Sequence, residues 1–205
     1  MSNGARSVRS PGTAVTAISS KFIHVLARSE VELKSTRTMA EKTLSGGCAC
    51  GDITFTSTAP PQHLDYCYCL TCQQMSGAPF VAWTGVPKGD LKINLTSRPI
   101  VYSPKIGDTD ICVSRRICCG TCGCNVILQY DLYPEKTHIA ASTIRHCDFE
   151  MPSVGCHIWT RHVPSWHKLP EDGVQQYIEN DPTFQARLDE HLEDLQLIPK
   201  YARST

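Results

Sequence analysis

The chain has 205 residues, 20 Lys and Arg against 20 Asp and Glu for a formal net charge of zero, and 12 cysteines. That length suits one domain of ordinary size plus extensions, enough to bury a core without the help of metal. No apolar run reaches the roughly 20 residues of a membrane-spanning helix, and the first 20 residues lack the continuous apolar stretch of a secretory signal.

Residues 1–39 hold six Lys and Arg and two acids, with no acid before Glu30. Residues 16–29 suit a weakly amphipathic basic helix through Ile18, Phe22, Ile23, Val25 and Leu26, a composition similar to that of a mitochondrial transit peptide. The favoured expectation for residues 1–43 is a variable or disordered extension, with Met39 as an alternative start. The rest of the chain carries 14 basic and 18 acidic residues. It lacks the basic footprint of a nucleic-acid binder, so a cytoplasmic protein without nucleic-acid or membrane partners is expected.

From Gly46 onward the pattern is β-rich. Short alternating or apolar runs at 53–56, 81–84, 91–95, 100–102, 111–113, 126–128 and 138–140 are punctuated by Pro, Gly, Asn and Asp. Gly46, Gly47, Gly51, Gly120 and Gly123 are read as bends beside cysteine pairs. A helix closes the chain: Asp181 is a good N-cap and Pro182 a good first residue, and Phe184, Leu188, Leu192 and Leu195 recur at helical spacing. Glu190, His191 and Asp194 form its polar face and receive no function. The expected fold is mainly β, with a zinc domain over 44–178 and a C-terminal helix and tail over 179–205.

The cysteines fall as C-x-C, C-x-C-x-x-C and C-x-x-C, spacings that suit shared ions better than loop-closing disulfides. Cys48 and Cys50 with Cys119 and Cys122 supply a complete four-thiolate shell, expected to hold a structural zinc. Cys67, Cys69 and Cys72 supply three ligands, and a zinc with three protein ligands keeps a position open for chemistry. Two Zn2+ per chain are expected. The open site suits binding an incoming thiol as thiolate, or polarising a small aldehyde. Trp83 is a candidate pocket wall, Gln73 and Ser76 candidate substrate donors, and His157 and His162 candidate proton carriers. Each also has an ordinary structural reading, and for Tyr68 packing is expected. Cys112, Cys118, Cys124, Cys147 and Cys156 are read as unreactive thiols, with Cys156 the one candidate for a fourth ligand. A non-catalytic zinc interaction module and a redox or metal-buffering protein are the alternatives to an enzyme.

Gly46-Gly-Cys-Ala-Cys-Gly-Asp-Ile53, Cys67-Tyr-Cys-Leu-Thr-Cys72, Gly77-Ala-Pro-Phe80 with Trp83, and Cys119-Gly-Thr-Cys-Gly123 resemble the glutathione-dependent formaldehyde-activating (GFA) family. His157-Ile-Trp159, Pro164-Ser-Trp166 and Leu169-Pro170 extend the resemblance, which spans about residues 44–177. It implies an Mss4-like fold of β-sheets bound to zinc. It also implies a structural site at Cys48, Cys50, Cys119 and Cys122 and a catalytic one at Cys67, Cys69 and Cys72. The implied activity is that of a carbon–sulfur lyase joining glutathione to formaldehyde, although the family also includes centromere- and cytoskeleton-associated members. Tyr68 and Gln73 stand where members often carry His and a basic residue, and Cys124 replaces a small hydroxyl residue. The departures touch the expected thiol substrate and leave the metal ligands in place.

Overall fold

The computed structural model describes residues 41–105 and 111–195. The basic helix read at 16–29 and the alternative start at Met39 lie outside them. The strands are β1 (Leu44–Gly47), β2 (Ile53–Ser57), β3 (Leu64–Cys67), β4 (Val81–Pro87), β5 (Leu91–Leu95), β6 (Ile100–Tyr102), β7 (Ser114–Cys118), β8 (Asn125–Tyr130), β9 (Lys136–Ala140), β10 (Ile144–Cys147), β11 (Val154–Ile158) and β12 (Gln175–Gln176). Two α-helices join them: α1 (Leu70–Ser76) follows β3, and α2 (Pro182–Asp194) closes the described chain.

The strands form a four-stranded sheet ordered β10-β1-β2-β5 and an eight-stranded sheet ordered β12-β11-β3-β4-β9-β8-β7-β6. Pairing is antiparallel except where β11 lies parallel to β3 and β12. β2 shows why two layers form: Ile53, Phe55 and Ser57 are buried while Thr54 and Thr56 are exposed, the period-two pattern of a half-buried strand. Leu44, Ile53 and Phe55 of the smaller sheet pack with Val86, Val126, Ile127 and Ile139 of the larger one. A second cluster gathers Cys67, Cys72, Val81, Trp83, Leu128 and Ala140. In a third, Leu188 and Leu192 of α2 meet Val113 and Leu132, each buried leucine contributing roughly 1.5–3 kcal/mol.

The mainly β fold with a C-terminal helix is as expected, and Asp181 caps α2 by accepting from the Thr183 and Phe184 N–H groups at 2.9 and 3.0 Å. Two local expectations change, and one helix is new. The run at 111–113 is not a strand; the strand is Ser114–Cys118, whose buried residues are Ser114, Arg116 and Cys118. A template that seeks apolar side chains inside passes over it. Gly46 and Gly47 are not a bend but part of β1, and a Cβ on Gly46 would lie 2.1 Å from the Thr143 carbonyl oxygen. Their smallness serves close backbone approach. Finally, Cys69–Cys72 opens a helix that apolar periodicity does not announce, since Cys72 is its one buried residue.

Candidate metal centres and the adjoining cavity

Two hairpin turns bring the four-thiol cluster together. In the β1–β2 turn the Cys48 N–H reaches the Ile53 carbonyl at 2.9 Å, and Gly51 takes φ of 89°, a left-handed conformation open to glycine at little cost. In the β7–β8 turn the Cys119 N–H reaches the Cys124 carbonyl at 2.9 Å, with Gly123 at φ 72°. Thr121 Oγ1 donates to Asp52 Oδ2 at 2.5 Å and ties the turns together. The sulfurs of Cys48, Cys50, Cys119 and Cys122 all lie within 4.8 Å of one another. Cys48 and Cys119 are buried, while Cys50 and Cys122 are exposed. The Cys124 and Cys50 backbone N–H groups draw the Cys122 thiol down to about 6. This is a donor set for one soft cation, with no fifth residue in the group.

The sulfurs of Cys67, Cys69 and Cys72 also lie within 4.8 Å of one another. Cys67 ends β3, Cys69 caps α1, and Cys72 sits one turn into that helix. The Cys69 sulfur accepts from the Cys72 N–H at 3.4 Å, and the Cys72 sulfur accepts from Trp83 Nε1–H at 3.4 Å. Hydrogen bonds from the Cys67 and Cys72 thiols hold Cys69 well below the ordinary thiol value and push Cys67 well above it. As thiolates the three sulfurs carry negative charge.

Arg116 answers that charge. It is 4% exposed, its guanidinium lies 5.5 Å from the centre of the Trp83 ring, and its Nε and Nη1 have no hydrogen-bond partner. Its charge favours the thiolate forms of Cys69 and Cys72. An isolated buried cation is costly. Three thiolates around a divalent ion leave a net charge of about −1, which one guanidinium balances. The donor set and this counter-charge fit a divalent soft metal such as zinc.

The family model described as glutathione-dependent formaldehyde-activating enzyme matches residues 43–162. The chain belongs to this family. No curated protein matches it. Among solved structures, the crystal structure of a Rhodobacter sphaeroides protein shares 15% identity, covers 65% of this chain and 98% of that one, and gives a TM-score of 0.37. That likeness is too distant to position any residue. The two cysteine groups in this GFA chain are able to hold metal ions.

Several candidates from the sequence turn out to be occupied. Gln73 Nε2 donates to the carbonyls of Tyr68 and His162, at 2.5 and 2.8 Å, so its amide fastens α1 to the loop after β11. Ser76 Oγ donates back to the Cys72 carbonyl at 2.7 Å. His157 is fully buried against Tyr66 and Tyr68, with Nε2 3.1 Å from Asp172. His162 stacks on Trp159. Tyr68 is buried among Phe80, His157 and His167, as its packing role requires. Cys156 does not join the three-thiol group; its thiol donates to Asp65 Oδ1 at 3.3 Å. Cys118 lies near Asn125 Oδ1, Cys112 donates to Ser103 and Cys147 to Phe149, while Cys124 packs on the core between the sheets.

What the sequence did not reveal is a cavity of about 370 Å³ against the three-thiol cluster. Along and before β3, His63, Asp65 and Cys67 all line it, two residues apart and therefore on one face. Strand register supplies two rows on that face. Asp65 pairs with Trp83 and Trp83 with Ala140; Gly85 pairs with His138, His138 with Leu128, and Leu128 with Arg116. Phe184 at the start of α2 closes the wall over Tyr130 and Tyr133. Arg116 and His63 stand in no recognisable motif. Strand register brings Arg116 to this face, and His63 reaches it one residue before β3.

Proposed function

We propose that the chain is a zinc-dependent carbon–sulfur lyase that adds a thiol such as glutathione to formaldehyde or a related small electrophile, or runs the reverse elimination. In this reading Cys48, Cys50, Cys119 and Cys122 hold a structural zinc, and Cys67, Cys69 and Cys72 hold the working one. The supporting observation is the three-thiol cluster itself: a buried, incomplete ligand set beside a cavity, with a counter-charge in Arg116. A zinc ion held there supplies a position at which a thiol becomes thiolate at neutral pH.

The chain's own groups do the rest. The Trp83 N–H at Cys72 and the Arg116 charge draw electron density from the sulfurs, easing the approach of another anion. The walls formed by Trp83, Leu128 and Phe184 are apolar, and apolar surroundings strengthen these electrostatic interactions. In the reaction the thiol sulfur bonds to the carbonyl carbon, and the carbonyl π pair moves to oxygen, which takes a proton.

One observation favours a second reading, a non-catalytic interaction module. Strand β6 ends the larger sheet with Ile100, Val101 and Tyr102 about half exposed, and such an edge suits a partner strand. Zinc content per chain, followed by the visible spectrum of the cobalt-substituted protein during glutathione titration, separates the two. Two metals, one of which changes its spectrum, is the outcome expected of the lyase. Two metals indifferent to thiols would establish the module instead, and a single metal would remove Cys67, Cys69 and Cys72 from the ligand list.

A further inference from the structure

Adding a thiol to a carbonyl moves one proton, from sulfur to the new hydroxyl oxygen, and a side chain positioned to carry it speeds the transfer. The cavity holds two histidines, and they are not equivalent. His138 is 8% exposed, and its Nδ1 has no partner. Burial, reinforced by His63 and Lys136, drives it down to about 3, so it stays neutral across the physiological range and forms wall. His63 is 28% exposed and lies 3.8 Å from Asp65, Nε2 to Oδ2, close enough for the carboxylate to stabilise an imidazolium. Its ring meets His138 edge-on at 5.3 Å. Backbone geometry makes room for it: a Cβ on Gly85 would lie 2.2 Å from His63 Cε1. A glycine in mid-strand weakens the strand, and here the space it leaves is filled by an imidazole.

We propose that His63 is the proton carrier of this reaction, receiving the thiol's proton and returning it to the oxygen of the adduct. The inference rests on the lyase reading above. The thiol's proton passes to the imidazole as the thiol becomes thiolate; as the carbon–sulfur bond then forms, the carbonyl π pair goes to oxygen and the imidazolium protonates that oxygen. The reverse elimination retraces these steps, and no oxidant or reductant is consumed. Asp65 is the positioning residue; Lys136, His138 and Asp181 are further charged or titratable groups near the ring, and Cys67, Tyr130, Tyr133 and Cys156 line the same cavity. Burial and Lys136 lower the His63 value, while Asp65 and Asp181 raise it, with burial the largest of these effects. The ring is therefore neutral near pH 7, the form that accepts a proton.

The test compares wild type, His63→Gln and Gly85→Ala, each metal-loaded. Glutathione binding is read from the cobalt spectrum, and exchange between glutathione plus formaldehyde and S-hydroxymethylglutathione is read by NMR across pH. His63→Gln is expected to bind glutathione as wild type does, exchange about 100-fold more slowly, lose the acid limb of the pH profile, and recover with added imidazole. Gly85→Ala, which displaces the ring without removing it, is expected to lose exchange in the same way, and it decides the matter if His63→Gln fails to fold. In histidine-labelled wild type, the resonance missing from His63→Gln should shift on adding unreactive S-methylglutathione. Wild-type exchange in a folded His63→Gln protein would overturn the proposal and leave the lyase reading standing, as would slow exchange that imidazole does not restore together with full activity in Gly85→Ala. No exchange in wild type would overturn both.

Discussion

In the four-thiol cluster Cys50 and Cys122 reach solvent, whereas in the three-thiol cluster Cys67 and Cys72 are buried and Cys69 is partly so. The first is built from two tight turns, and its sulfurs Cys50 and Cys119 are 69 positions apart in the chain. It closes a long loop, and leaving two ligands at the surface spares it most of the desolvation cost. The second joins residues only five positions apart, so it restricts the unfolded chain far less. Yet it is the one that is buried, served by an indole N–H, faced by a guanidinium whose Nε and Nη1 have no hydrogen-bond partner, and set beside a cavity. Burial of a charged centre that contributes little loop closure is an expense the fold does not need, which is why chemistry is assigned to the smaller cluster.

Breaking one ligand in each cluster tests this contrast most sharply. Cys119→Ser removes a fully buried ligand from the four-thiol group, and the expected result is loss of one metal and of cooperative folding. Structural zinc contributes about 10–16 kcal/mol in small zinc domains, as much as the whole stability of about 5–15 kcal/mol typical of a domain. Cys69→Ser should keep a cooperative melt by circular dichroism while turnover falls to background. If Cys69→Ser unfolds the chain and Cys119→Ser spares it, the two roles are reversed. Full turnover in a folded Cys69→Ser protein would end the proposed mechanism.

A smaller effect is expected at Arg116. Arg116→Met removes the counter-charge and keeps an apolar side chain of comparable length. Residues that support metal ligands typically affect metal affinity about 10–100-fold. Competition with a chromophoric chelator should show one of the two metals weakened by that factor and the other unchanged, with Arg116→Lys recovering part of the loss. If both metals weaken equally, Arg116 serves the fold and not the three-thiol centre.

Arg116 also shows where the sequence stops being informative. The cysteine pairs and the triplet were legible because thiol spacing within a turn is local information, and so was α2, whose cap and apolar repeat lie in one stretch. The cavity was not. Most of its residues come from β3, β4, β8, β9, β11 and the start of α2, and they meet only through strand register and the packing of α2 and connecting segments. β7 was hidden for a related reason: its inward face is Ser114, Arg116 and Cys118, with a charged residue at its centre that faces the neighbouring sulfurs. His63 looked like any polar residue in a Pro-rich connection, while the more conspicuous His157 and His162 are held by Asp172 and Trp159. Gly46 and Gly85 carried signals open to misreading, since a glycine that admits a close neighbour looks in sequence like one that turns the chain.

The smallest predicted effect concerns the cavity wall and separates it from both clusters. His138 titrates near 6.5 when unfolded and at about 3 when folded, chiefly because burial disfavours its charged form. Between those values the unfolded chain holds the extra proton, so stability falls as pH drops through 6.5, by about 1.4 kcal/mol for each pH unit. His138→Asn cannot take up that proton. Denaturant unfolding of both proteins at about pH 7.5 and about pH 5.5 should show wild type losing about 1.4 kcal/mol more than the variant on acidification. Proton-driven loss of metal from the cysteines acts on both proteins and cancels in the difference. An equal loss in the two would mean that water reaches His138 and lets it charge in place, and a chamber wet enough for that would have little need of His63 to carry a proton.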